Sequence, residues 1–347
     1  MVRVGLIGFG MAAQVFHAPT IRAVAGMELG CILERSGRRA QEKYPEVRTA
    51  RTLEELLADE SVGVCVIATP HPSHFDLARR CLLAGRDVVV DKPFTVTSQE
   101  AEELIGLAKE KKRLLTVYQN RRWDGDFQTV KKLLEAGTLG RVVEYEVRYE
   151  RFRTELRPNS WRERDAPGGG MLFDLGPHLV DQALLLFGTP RTITAQLFRQ
   201  REGAQVDDAF DVCLGYQGMR ALLHSRIIAY APGPHFAVHG TQGSFVKFGM
   251  DPQEELLKAG AVPEGKSWGE DAEENWGRLS VVGGAAQKVK TEAGDYRGFY
   301  ANLRDAIVQG TPPAVTTEQA WRTMRVLELA QQSSREGRTM VWDEARA

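Results

Sequence analysis

The sequence predicts an α/β chain, in which an N-terminal doubly wound parallel sheet is followed by an α+β domain with a large, mostly antiparallel open sheet. Three observations predict it. From residue 2 to about 117, short apolar runs alternate with segments of helical periodicity, the grammar of a parallel sheet covered on both faces and joined by right-handed crossovers. After Tyr118 that grammar gives way to partly alternating strands separated by turn signals. The chain has 347 residues, too many for one ordinary core, so two domains are expected, 1–120 and 121–347.

In the first domain VRVGLI, ELGCIL, VGVCVIA, DVVVD and LLTVY are short, rich in Val, Ile and Leu, and read as strands. Between them MAAQVFHAPTIRAV, GRRAQEKY, TLEELLAD, PSHFDLARRCLLAG and TSQEAEELIGLAKEKK carry apolar residues at helical spacing. Ser98 and Glu102 open the last of these and Lys109–Lys112 close it, charges placed as a helix dipole prefers. In the second domain DFQTVKKLLEAGTLG reads as a helix ending at Gly137. RVVEYEVRYERF, TITAQLFRQ, DDAFDVCLGY, RALLHSRIIAY, HFAVHGTQ and GSFVKFG read as strands of a sheet with one face on helices. FDLGPHLVDQALLLFG is the helix expected against that sheet, with Gly176–Pro177 at its start and Pro177 near the first helical position. TTEQAWRTMRVLELAQQSSREG reads as a C-terminal helix stopped by Gly337, and the polar, glycine-rich stretch 251–292 as a long loop or insertion.

Composition narrows the function. Lys and Arg total 45 against 46 Asp and Glu, so no charge excess points to nucleic acid or an anionic membrane. The N-terminus lacks a signal-peptide pattern and no apolar run approaches a membrane span. Cys31, Cys65, Cys81 and Cys213 are scattered and suit small buried hydrophobes in a reducing compartment. A cytoplasmic protein acting on a small molecule is the expectation.

GLIGFGMAA puts Gly8, Gly10 and Ala13 in a G-x-G-x-x-A array directly after the first strand. The first Gly permits a tight turn, the second lets backbone approach a pyrophosphate, and the small third residue lets helix and strand pack closely. The phosphates then meet the free N–H groups and positive dipole end of the helix. Glu34 ends the second strand, where a carboxylate binds the ribose hydroxyls of NAD and repels a 2′-phosphate. Arg35 and Ser36 follow at once, and an Arg beside the ribose is the usual device for NADP. Glu34 leans toward NAD and Arg35 toward NADP, so both cofactors remain open.

The DVVVD strand delivers Asp91, Lys92 and Pro93 to the edge where doubly wound sheets bind ligands. A lysine there can stabilise the alkoxide that develops as hydride leaves a carbinol. Pro93 restricts the Lys92 backbone and is a candidate cis proline. Taken alone, Lys92 is equally a solvated residue at a strand end. Asp174 and His178, four apart in one helix, add a carboxylate and a base of near-neutral pKa on one side of a turn. Without Lys92 they would read as a capping Asp and a core His. Just past the fifth strand-like run, Asn120 and Arg121 are candidates for polyol hydroxyls, while Arg122 and Trp123 brace the domain junction. NSWRERDAPGGG reads as a flexible run whose Trp161 and Arg162 suit either a substrate wall or plain packing. His17 lies near the dinucleotide and is first a core histidine; His71 and His74 are expected in packing or nicotinamide-side contact. No His, Asp or Cys grouping has dependable metal-ligand spacing, and the His178/Asp181 pair is explained by a helix face, so no metal is expected.

GFGMAA, ATPHPSH, DKP, GGGMLFDLGPH and the closing GTPPAVTTEQAWRTMRVLELAQQSS together resemble the Gfo/Idh/MocA family of NAD(P)-dependent oxidoreductases over nearly the whole chain. VYQNRRWDGDFQTVKKLLEAGTLG and VHGTQGSFVKFGMDPQEE look most like its NADP-dependent scyllo-inositol dehydrogenase branch. The resemblance implies a Rossmann domain followed by an α/β domain whose open sheet mediates contacts in a homo-oligomer, a dimer or tetramer. It matches Lys92 to the family lysine of E-K-P, Asp174 to its aspartate and His178 to its histidine base. Asp91 departs from the usual Glu, and the Glu34–Arg35–Ser36 sequence departs from the Ser-Arg pair of the inositol branch. Thr69 and Pro70 join Gly8, Gly10, Ala13, Glu34, Arg35 and Lys92 in the expected cofactor-binding set. The implied reaction is reversible oxidation of a secondary alcohol of a cyclic polyol or sugar, scyllo-inositol first. The competing expectations are redox-neutral, NAD-dependent glycoside cleavage and a non-catalytic nucleotide sensor.

Overall fold

The computed structural model describes residues 1–157 and 160–343. Strands β1 (Val2–Ile7), β2 (Met27–Leu33), β3 (Arg48–Ala50), β4 (Val64–Ile67), β5 (Asp87–Asp91) and β6 (Leu115–Tyr118) alternate with helices α1 (Ala18–Ala23), α2 (Arg39–Lys43), α3 (Leu53–Leu57), α4 (His74–Leu83) and α5 (Ser98–Lys111). Then follow α6 (Gly125–Glu135), β7 (Val142–Glu150), α7 (Met171–Phe187), β8 (Thr192–Phe198), β9 (Ala209–Tyr216), β10 (Met219–Arg226), β11 (Phe236–Gly240) and β12 (Gly243–Lys247). The chain closes with α8 (Gln253–Lys258), β13 (Gly277–Val281), β14 (Gln287–Val289), α9 (Arg297–Gln309), α10 (Thr317–Glu336) and β15 (Met340–Val341).

These elements form two compact units, Met1–Trp123 with Gln253–Trp268 and Asp295–Trp321, and Asp124–Pro252 with Gly269–Gly294 and Arg322–Ala347. The first unit therefore gathers two stretches that a single cut at residue 120 assigns to the later part of the chain. Among the described residues, no helix is long and apolar enough to cross a membrane.

The first unit holds a six-stranded parallel sheet in the order β3-β2-β1-β4-β5-β6. The direction of winding reverses between β1 and β4, the switch point at which such sheets bind ligands. Val64–Ile67 and Val88–Val90 are essentially inaccessible, which explains why these strands are continuous apolar runs rather than alternating ones. β3 was not expected; three residues are too few for periodicity to register. The cap of α5 is Thr97 rather than Ser98: its hydroxyl accepts the Glu100 N–H, and the Glu100 carboxylate accepts the Thr97 N–H. Such a capping box contributes about 1 kcal/mol.

The second unit is built on a nine-stranded sheet, β14-β13-β12-β11-β7-β10-β9-β8-β15. Only β7 and β10 run parallel; the other neighbours are antiparallel. Tyr145 and Val147, Phe210, Val212 and Leu214, and Ala221 and Leu223 line one buried face, against which α7 packs. The opposite face carries Glu146 and Arg148 of β7, Asp211 of β9, and His224 and Arg226 of β10, joined in a ladder of ion pairs. Opposite charges on neighbouring strands support a half-solvated face.

Two expectations are corrected here. Residues 251–292 are not a structureless loop: they contain α8, β13 and β14, and the approach to β13 is fastened by a fully buried Lys247 whose ammonium donates to Asp271 at 2.8 Å and to the Asn275 carbonyl at 3.0 Å. The signal is polar, so apolar periodicity misses it. Nor does α7 start at Gly176–Pro177. It starts at Met171, after Gly170 at φ 92°, and Pro177 lies inside it. A helix-interior proline lacks an N–H and costs about 3 kcal/mol or more. The helix survives because Leu172, Phe173, Leu175, Leu179, Val180 and Ala183 are all buried. Gly176 admits the side chain of Leu327, whose Cδ2 would lie 3.0 Å from a Cβ there.

Candidate active site

The cofactor-binding side is assembled at the carboxyl ends of β1, β2, β4 and β5. Gly8 sits at φ 92°, and its N–H donates to the Leu33 carbonyl at 3.0 Å. A Cβ there would lie 2.8 Å from the Ala68 carbonyl oxygen and 2.9 Å from Thr69, so any other residue is excluded twice, by conformation and by space. Nothing lies within 4 Å of where a Gly10 Cβ would be, so the backbone is open to an approaching group. Ala13 is fully buried where helix meets sheet. A continuous helical segment, 11–23, follows and includes a π-turn in which the Ala18 N–H donates to the Ala13 carbonyl. Tight turn, open backbone and helix start are what a pyrophosphate requires, so these residues fit a dinucleotide.

Glu34 is 3% exposed, and its carboxylate accepts Arg39 Nε and the Ala40 N–H, each at 3.0 Å. It holds the first turn of α2. Arg35 and Ser36 are exposed on the loop just beyond it. Thr69 and Pro70 follow β4, and the Thr69 hydroxyl is 2.7 Å from that of Ser73. His74 is buried, with Nδ1 and Nε2 each 2.9 Å from a carbonyl oxygen, those of Pro93 and Thr69 respectively. It ties the loop after β4 to the loop after β5, and its burial lowers its pKa despite nearby Asp91.

Lys92 stands immediately after β5 and is half-buried; the Lys92–Pro93 peptide is cis. The Lys92 N–H donates to Asp91 Oδ1 at 2.9 Å. Burial works to raise the Asp91 carboxyl, but the neighbouring His17, Lys92 and His74 overcome it and hold it at about 2. The next strand ends in the turn Asn120–Trp123, with Asn120 and Arg121 both buried. Arg121 is ion-paired with Glu254, whose carboxyl sits at about 2 because Arg121 and Lys258 outweigh its desolvation. Arg122 Nη1 donates to the Ala314 carbonyl at 2.6 Å, and Trp123 packs with Phe299, so both brace this unit.

In the second unit α7 carries Asp174, partly exposed, and His178, buried, one turn apart. Arg162 Nε donates to Asp174 Oδ1 at 3.1 Å, and its guanidinium carbon lies 4.6 Å from the Trp161 ring centroid. The structure thus brings Trp161, Arg162 and Asp174 together, with Asp174 one helical turn before His178. Of the run expected to be flexible, Asn159 lies outside the described residues; Trp161–Glu163 form a helical turn. Asp207 was missed. Its carbonyl accepts the Met171 N–H at 2.8 Å and its carboxylate the Leu172 N–H at 2.7 Å, so it caps α7 from 35 residues away along the chain, a separation no local motif reports.

A glycine-turn dinucleotide site on a six-stranded Rossmann sheet, with a lysine at the rim of that sheet, defines an NAD(P)-dependent oxidoreductase. Comparison with known proteins bears this out. Residues 2–119 match the description "Oxidoreductase family, NAD-binding Rossmann fold" and residues 131–341 match "Oxidoreductase family, C-terminal alpha/beta domain". The chain belongs to the Gfo/Idh/MocA family. It is 37% identical over 343 residues to scyllo-inositol 2-dehydrogenase (NADP(+)) IolW of Bacillus subtilis, covering 98% of this chain and 96% of that one. It is 42% identical to the uncharacterized oxidoreductase YdgJ of Escherichia coli, covering 98% of each. The solved structure of the putative oxidoreductase yvaA from Bacillus subtilis superposes with a TM-score of 0.95 at 36% identity, over 99% of this chain and 98% of that one.

Proposed function

We propose that this oxidoreductase moves hydride between NADP and a secondary alcohol carbon of a cyclic polyol or sugar, with scyllo-inositol and its keto form as the first substrates. The observation that carries the reading is the position of Lys92. It leaves β5 at the same carboxyl edge at which β1 ends in the Gly8 turn, and only β4 lies between the two strands. Similarity to an inositol dehydrogenase supports the substrate class.

The nicotinamide, when bound, supplies the hydride acceptor or donor. Lys92 Nζ donates to the substrate oxygen and stabilises the alkoxide that develops there. The His178 imidazole takes the hydroxyl proton. Asp174, steadied by Arg162, orients that ring or accepts a second hydroxyl. Trp161, Arg162 and Asn120 are assigned to the polyol, and Arg121 with Glu254 to holding the turn that presents Asn120. Because the Glu34 carboxylate is engaged by Arg39 and the Ala40 N–H, Arg35 and Ser36 are the groups offered to the ribose 2′ position, which supports NADP over NAD. A homo-oligomer formed through the charged open face of the nine-stranded sheet belongs to the same reading.

The test is a panel of inositols and aldoses scanned with NADP and NAD by absorbance of the reduced nicotinamide, with Lys92→Ala and His178→Ala alongside. Turnover of a cyclic polyol that falls at least a hundredfold in each variant is expected. Glycoside cleavage without net nicotinamide reduction, or variants as active as the parent, would overturn the reading.

A further inference from the structure

Beneath Lys92 lies a buried chain of titratable side chains that the reaction above does not use. His17 is inaccessible to solvent, yet it is not simply a satisfied core histidine. Its Nδ1 lies 2.5 Å from the Tyr300 hydroxyl. Its Nε2 is buried without a hydrogen-bond partner and stands 3.7 Å from Asp91 Oδ1, too far for a hydrogen bond and close enough for strong electrostatic attraction. An orphaned buried ring nitrogen is rare in folded proteins and needs a reason.

The tautomer follows from the partners. Burial pushes the Tyr300 phenol well above its ordinary value, so it keeps its proton. Because the acceptor Asp91 faces Nε2, the neutral imidazole carries its proton there and accepts the Tyr300 O–H at Nδ1; a charged ring carries protons on both nitrogens and donates to the phenol oxygen. In either state an N–H faces Asp91. The remaining groups around that carboxylate are its neighbour Lys92 and, from α4, His74. The His17 ring also packs against Tyr118, the register partner of Asp91 across β5 and β6, with ring centroids 4.3 Å apart and planes tilted by 42°. The π-turn Ala13–His17 shifts the helix register by one residue just where His17 must face the sheet, and such insertions recur at functional sites.

We propose that His17 and Tyr300 are positioning residues for Lys92: the Tyr300–His17–Asp91 chain fixes the Asp91 carboxylate, which accepts the Lys92 N–H and faces its ammonium, so that Nζ is held on the substrate oxygen. The proposal rests on Lys92 acting as stated above. It assigns to α9 a part in catalysis without any contact with substrate.

The experiment compares Tyr300→Phe, His17→Gln and Asp91→Asn with the parent and Lys92→Ala. It measures kcat, KM, the pH profile of kcat/KM, NADPH binding by fluorescence, and the folded fraction by circular dichroism. Tyr300→Phe removes only the hydroxyl. A positioning role predicts that kcat per folded enzyme falls about tenfold or more in Tyr300→Phe and His17→Gln. NADPH affinity stays near the parent's, and in His17→Gln the acid limb of the profile moves to higher pH, because the Asp91 carboxyl loses the imidazole that helps to hold it low. If Lys92→Ala abolishes turnover while Tyr300→Phe and His17→Gln keep the parent kcat and profile per folded enzyme, the proposal fails and the function stands. If Lys92→Ala remains active, the proposed function fails first and this inference with it.

Discussion

Glu34 shows how far a single residue can be read from spacing alone. Its place at the end of β2 is correct for a ribose-binding acid, but its carboxylate is turned into α2 and almost inaccessible. The decision lies in six residues of loop geometry that bring the Ala40 N–H onto Oε2 at 3.0 Å, which no motif encodes. Arg35 is therefore expected to carry cofactor choice. Arg35→Ala should raise KM for NADP about tenfold or more while leaving KM for NAD nearly unchanged, since a charge-assisted hydrogen bond to phosphate contributes about 1.5–3 kcal/mol. Steady-state kinetics with both cofactors measures it, and equal effects on the two would sink the assignment.

At the level of elements, α7 is the case in which pattern and structure part. The sequence marks Asp174 and His178 as neighbours on one helix, and they are. It misplaces the helix start because Gly–Pro resembles a first turn, whereas the real one is closed by Asp207 across the chain. Burial is the main reason that the Asp207 carboxyl is pushed up to about 6, against the lowering effect of the N–H groups it caps. An acid whose folded pKa lies above its unfolded value binds more protons when folded. Stability then declines as pH rises from about 4, the unfolded value, to about 6, and stays lower above that. Asp207→Asn keeps an oxygen for the Leu172 N–H and discards the charge. It should flatten that slope and raise the melting temperature at pH 8, as measured by thermal denaturation at several pH values. An unchanged slope would assign the pH dependence elsewhere.

For the molecule as a whole, the first unit is not a contiguous N-terminal segment. Its core is completed by α8, α9 and the stretch leading to α10: Tyr300 meets His17, Phe299 meets Tyr118, and the Thr116 hydroxyl donates to the Val315 carbonyl at 2.7 Å. A fragment of residues 1–123 should therefore expose Val15, Phe16, His17 and Tyr118, melt well below the full chain or aggregate, and fail to bind NADPH. Expression of that fragment with circular dichroism and cofactor fluorescence tests this; a cooperative, cofactor-binding fragment would refute it.

The alternation of apolar runs and helices, the G-x-G-x-x-A turn, the strand that ends in Asp91–Lys92–Pro93 and the placing of Asp174 and His178 one turn apart on a helix were all determined by the sequence itself. Each depends on hydrogen bonding and side-chain direction over a few residues, which local order dictates. Tertiary structure alone decided which partner each charged or polar group would take. Glu34 went to α2, Arg121 to Glu254, Arg162 to Asp174, Lys247 to Asp271, and His17 to a tyrosine 283 positions away. A buried polar group must be satisfied by whatever the fold brings near it, and that neighbour is set by packing rather than by distance along the chain.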